Sequence, residues 1–109
     1  MDFIKVGSAC PKTKVADVIF NVDNICSCIN DAYNQDVKFL VFPELSITSY
    51  TCADLFLTST LINKSIEGIK LVCENSINKD MLIAVGCPLV HNNVLYNAAF
   101  IIFEGKILG

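Results

Sequence analysis

The chain has 109 residues, 53% of them hydrophobic and 17% charged, with a mean hydropathy of +0.53 and a net charge of −3. So few charges among so many aliphatics exclude a disordered chain, and the length allows one domain or a part of one. No apolar run approaches the roughly 20 residues of a membrane span, and eight lysines without a single arginine form no phosphate-binding stripe, so membrane and nucleic acid are both excluded as partners.

The predicted elements alternate. Phe3 to Ala9 reads as a first strand that ends at Cys10-Pro11. Asp17 to Asn21 supplies capping chemistry, with Asn21 read as the N-cap of a helix. Val22, Ile25, Cys26, Ile29, Ala32 and Tyr33 then form one apolar stripe at helical spacing, opposite Asp23, Asn24, Ser27, Asn30, Asp31 and Asn34. Val37 to Phe42 is a second strand, continuously apolar from Phe39, as suits a parallel strand buried on both faces.

A loop from Pro43 to Ala53 leads to a second helix beginning near Asp54. Its stripe is Ile62, Ile66, Ile69 and Cys73, widened by Leu61 and Val72. Met81 to Val85 is a third strand and Val94 to Phe103 a fourth, joined through the turn signal His91-Asn92-Asn93. Glu104-Gly105 marks another tight turn before Lys106-Ile107-Leu108-Gly109. Two successive βαβ crossovers followed by an antiparallel hairpin predict an α/β fold with a mixed sheet. The pattern breaks off at Gly109, so the expectation is the N-terminal portion of a larger domain.

Ligands of open α/β sheets gather outside the carboxyl ends of the strands. Three segments are expected there: Cys10 to Lys12, Pro43 to Ala53, and Gly86-Cys87-Pro88. Glu44 is the leading candidate, because it directly follows an apolar strand and a proline, and partial burial would suit it to accept protons near neutral pH. Cys52 lacks a visible base or oxyanion donors, so it reads as a packed or loop thiol. His91 reads as a solvated turn residue, Lys12 and Lys14 as surface, and Asp54 as a helix-start residue.

The six cysteines, at 10, 26, 28, 52, 73 and 87, contain no C-x-x-C pair and have one histidine for company, so no metal site is expected. No secretory signal opens the chain, and the expectation is reduced thiols in a cytoplasmic setting.

Phe42-Pro43-Glu44-Leu45 after an apolar strand resembles the signature of the nitrilase, or carbon–nitrogen hydrolase, superfamily. The longer run from Phe42 through Ser46-Ile47-Thr48-Ser49-Tyr50 to Asp54-Leu55-Phe56 is similar to the glutaminase domain of glutamine-dependent NAD⁺ synthetases. Ser8-Ala9-Cys10-Pro11, Val85-Gly86-Cys87-Pro88-Leu89, Leu95-Tyr96-Asn97-Ala98-Ala99 and Gly105 to Gly109 agree with it. The resemblance implies an αββα sandwich and a Glu-Lys-Cys triad that hydrolyses glutamine to glutamate and ammonia. It makes Glu44 the general base and Tyr50 a pocket residue that binds substrate.

The same resemblance puts the family's lysine just past Gly109 and its nucleophilic cysteine further on, with none of the six cysteines in that place. This chain alone is therefore expected to lack glutaminase activity and to need no cofactor. The resemblance also implies a synthetase domain of the same chain, with ATP and Mg²⁺, and a homo-oligomer at full length. Another nitrilase-type amidase or carbamoylase, and a non-catalytic flavodoxin-like binding module, stay open at this point.

Overall fold

The computed structural model of the protein describes residues 3–48 and 59–109. Seven elements follow in order: β1 (Val6–Ser8), α1 (Val18–Asn34), β2 (Phe39–Val41), α2 (Ser59–Asn75), β3 (Leu82–His91), β4 (Val94–Phe103) and β5 (Lys106–Ile107). The sheet has the spatial order β1-β2-β3-β4-β5. β1, β2 and β3 are parallel, and β4 and β5 are antiparallel additions. Two right-handed crossovers stepping the same way put both helices on one face of the sheet. The mixed sheet and the alternation are as the sequence predicts. No helix among the described residues is long and apolar enough to cross a membrane.

The core lies between the helices and that face. Val22, Ile25 and Ile29 of α1 and Ile69 and Val72 of α2 meet Leu40, Ile83, Val85 and Ile102 from the sheet in one buried cluster. Burying each such side chain is worth about 1.5–3 kcal/mol, which is what holds the two helices on a five-stranded sheet. The opposite face is more open: Val6 is 65% exposed and Val41 40%.

Several local expectations are corrected. Asp17, not Asn21, caps α1: its Oδ1 accepts from the Phe20 N–H at 3.1 Å, so the helix starts one turn earlier. Asn21 is instead fully buried. Its Nδ2 donates to the carbonyls of Lys14 (2.9 Å) and Ile47 (2.8 Å), and its Oδ1 accepts from the Lys14 N–H at 2.7 Å. One amide thus ties the loop after β1 to the loop after β2. Tyr33, assigned to the stripe, is exposed and lies under Lys79, whose Nζ is 5.9 Å from the ring centre.

On α2 the buried line is Leu61, Ser65, Gly68, Ile69, Val72 and Cys73, continued by Ser76 just past its end, while Ile62 and Ile66 sit half-buried on its flank. The stripe is rotated toward small residues because the helices approach closely there. A Cβ on Gly68 would stand 2.8 Å from Val18 Cγ1 and 3.0 Å from Val22 Cγ2.

β1 and β2 are shorter than predicted, and β3 is longer, running through Gly86-Cys87-Pro88 to His91. That segment is mid-strand rather than a loop. Carbonyls at 84 and 86 point to the β2 side, where they accept from Phe42 and Ile47. Pro88 falls on the same alternation beyond the end of β2, so its missing N–H spoils no ladder bond. Asn92 and Asn93, at φ 51° and 63°, form the two-residue hairpin turn that asparagine favours.

Replacing Asn21 by Ala leaves the buried Ile47 carbonyl without its donor and unties the two loops. The expected loss is about 2–3 kcal/mol of stability, read as a lower midpoint in urea unfolding followed by circular dichroism of the intact protein.

Candidate active site

The chain leaves β2 through Phe42 and Pro43 and turns immediately. The Phe42 N–H donates to Ala84 (2.9 Å), so the strand's pairing with β3 continues to the edge of the turn. Leu45 then adopts a φ of 52°. A branched residue in the left-handed region costs about 1–2 kcal/mol, and the surroundings must enforce it. They do so from both sides. The Ser46 hydroxyl donates to the Pro43 carbonyl, the Thr48 N–H to Leu45 (3.1 Å), and the Ile47 N–H to Gly86 of β3 (3.2 Å). From the first loop the Ala16 N–H donates to Thr48 (3.0 Å). Ser46, Ile47 and Thr48 are all buried.

Gly86 is what lets the turn lie down on the sheet. A Cβ there would fall 2.4 Å from the Leu45 nitrogen, 2.7 Å from the Pro43 oxygen and 2.8 Å from the Glu44 carbonyl carbon. All three are backbone atoms, which have no rotamer to escape by.

The result is a carboxylate on a rigid pedestal. Glu44 stands at the carboxyl end of β2, at the rim of a cleft of about 220 Å³ on the open face of the sheet. The walls are Val41, Phe42, Pro43, Ala84, Gly86, Asn97, Ala98 and Ala99, so small side chains leave the room in front of it. Asn97 of β4 donates from Nδ2 to Glu44 Oε2 at 3.2 Å. The partial burial expected of Glu44 is not found: the side chain is exposed, because these walls surround it on one side only.

Asn97 was not singled out from the sequence as a site residue. The signal was present, since it is the one polar side chain in the ten-residue strand Val94–Phe103, and asparagine is depleted in strands. Tyr50, Cys52 and Asp54 lie outside the described residues, so the pocket role expected of Tyr50 has no geometry here. His91 is exposed in the hairpin, and Lys14 is stacked on Phe20, its Nζ 4.3 Å from the ring centre. A larger cavity of about 510 Å³ lies on the helix side, between the start of α1 and α2. Its polar lining is Asp17, spent on the cap, with Lys64 and Glu67 on the exposed flank of α2, so nothing there converges on a ligand.

Cys87, next to Gly86 in β3, is no nucleophile for Glu44. Cys87 lies fully buried on the core face of β3, on the opposite side from the cleft. Burial pushes its thiol up to about 12, against a smaller lowering by the Ser65 hydroxyl. Burial likewise raises Cys26, Cys28 and Cys73, helped by the nearby carboxylates of Asp23, Asp31 and Glu74 respectively. Cys10 is exposed beside the end of β1.

These features agree with what the chain is similar to. The carbon–nitrogen hydrolase family model matches residues 5–109. The chain belongs to the carbon–nitrogen hydrolase family. The human glutamine-dependent NAD⁺ synthetase is 32% identical over 88 residues, 81% of this chain and 12% of that protein. The crystal structure of a glutamine-dependent NAD⁺ synthetase from Cytophaga hutchinsonii superposes with a TM-score of 0.91 at 32% identity, over 97% of this chain and 18% of that one. An amidase from Nesterenkonia sp. shares the fold with a TM-score of 0.76 at 15% identity, over 94% of this chain and 40% of that one. The chain thus spans less than a fifth of the synthetases it matches.

Two outcomes are expected of the site. Gly86→Ala drives a Cβ into the Pro43–Leu45 backbone, so the turn must lift from the sheet; the cost is about 2–4 kcal/mol of stability and displacement of Glu44, visible in a crystal structure of the variant. Cys10 reacts with a thiol reagent in the native protein at pH 8. Cys87, buried and with its thiol pushed up, reacts far more slowly than Cys10, and fully only after denaturation, as peptide mapping of the labelled protein will show.

Proposed function

We propose that this chain is the N-terminal part of the glutaminase domain of a glutamine-dependent NAD⁺ synthetase, and that Glu44 is its general base. The observation that carries the reading is the seat of Glu44. A carboxylate is held by backbone contacts at the end of a parallel strand, with one oxygen hydrogen-bonded and the other left to a cleft walled by small residues. The relatives named as glutamine-dependent NAD⁺ synthetases support the choice of amide over other family substrates.

In this reading a cysteine thiol that is none of the six in this sequence attacks the side-chain amide carbon of glutamine while Glu44 takes its proton. The carbon–nitrogen bond of the tetrahedral intermediate breaks, and ammonia leaves carrying that proton. Glu44 then deprotonates the water that cleaves the thioester, releasing glutamate and restoring the thiol. A lysine stabilises the oxyanion, and Tyr50 contributes to the pocket for glutamine. The ammonia serves a synthetase domain of the same polypeptide, where ATP and Mg²⁺ support amidation of the deamido-dinucleotide. No cofactor is assigned to the residues described here, and the residues of this chain act by themselves only as base and wall.

Glu44→Gln in the intact enzyme keeps the side chain's size but cannot accept a proton. Glutamine-driven NAD⁺ synthesis should fall by about 10²–10⁴, while synthesis driven by added ammonia is retained. Both rates are measured on one preparation. Equal loss of the two would make Glu44 a structural residue, and no loss of either would remove it from the reaction.

A further inference from the structure

The geometry points to Asn97 as the positioning residue that orients the Glu44 carboxylate, holding one oxygen and leaving the other to accept the proton. This rests on the general-base reading above. An ionised carboxylate only accepts hydrogen bonds, so the amide end facing Glu44 is the NH₂ group. Its 3.2 Å bond occupies Oε2, while Oε1 has no protein partner among the described residues. A carboxylate on an exposed side chain otherwise rotates freely about its last torsion, which is broad and two-fold. The bond from β4 to Oε2 restrains that rotation and leaves the other oxygen for the cleft.

The backbone of Glu44 and its carboxylate are thereby held by two neighbouring strands of the sheet. Gly86 on β3 supports the main chain, and Asn97 on β4 supports the tip of the side chain. The two strands are locked in register, with Gly86 opposite Ala99 and Pro88 opposite Asn97, so the supports share the open face. A polar side chain in a strand otherwise made of Val, Leu, Tyr, Ala, Phe and Ile has this contact as its physical reason. No other titratable side chain among the described residues lines the cleft.

The test uses the intact enzyme and steady-state glutamine hydrolysis, with Asn97→Ala, Asn97→Asp and Glu44→Gln compared. Asn97 is exposed, so Ala and Asp should melt with the wild type. Loss of the donor in Asn97→Ala should lower kcat about tenfold with KM unchanged, the worth of one hydrogen bond to a charged group. Asn97→Asp has the same shape but turns an acceptor and a like charge toward Glu44, so it should fall further, about a hundredfold. A role in packing alone predicts the reverse order, with Asp close to wild type. Asp equal to or better than Ala, a rise in KM that accounts for the loss, or changes within twofold in both would overturn the proposal while leaving Glu44 as base. If Glu44→Gln also keeps its glutaminase rate, the general-base reading falls and this inference falls with it.

Discussion

The seat of Glu44 depends on a missing side chain. Gly86 lets three consecutive backbone units, from Pro43 to Leu45, rest directly against β3, closer than any Cβ would allow. From that contact follows the rest of the local geometry. The Ile47 N–H reaches the Gly86 carbonyl, Leu45 is forced to a positive φ, and the carboxylate is delivered to the edge of β4 where Asn97 waits. Precision here comes from main-chain atoms and a sheet, which move far less than a free loop.

The strain at Leu45 is offset by buried contacts that Glu44 itself does not make. Ile47 is wholly buried, and Asn21 and Ala16 tie the turn's far end to the loop after β1. Glu44 is thus exposed while its support is buried. This division leaves the carboxylate open to the cleft without loosening the core, and it places the strained conformation beside Glu44 rather than within the hydrophobic cluster.

The alternation of strands and helices, the fourth strand and the Asn92-Asn93 turn were legible because each is written in local periodicity or turn chemistry. Glu44 was legible as a position, from the apolar strand and proline before it. Its environment was not. The backbone support and hydrogen bonding of Glu44 depend on Gly86 and Asn97, 42 and 53 residues away, and no local pattern reports such distances. Asn21 shows the same limit: an asparagine near a helix start reads as a cap, and only the tertiary partner at Ile47 reveals a buried clamp. Ser65 and Gly68 were overlooked on α2 because a close helix contact favours small residues, which a hydrophobic pattern ignores.

The sheet order is also the sequence order, and this has a consequence for how the site comes into being as the chain is synthesised. Each new strand adds to an edge already in place, so the core of helices and parallel strands can grow steadily from the N-terminus. The Glu44 carboxylate does not share that schedule. Glu44 emerges early, yet its floor arrives with β3 and its hydrogen-bond donor with β4. Without β3 the Pro43–Leu45 backbone has nothing to lie against, and without β4 the carboxylate lacks its donor. The seat of Glu44 is thus built from an early residue and two later ones, and it needs β3 and β4 as well as β2.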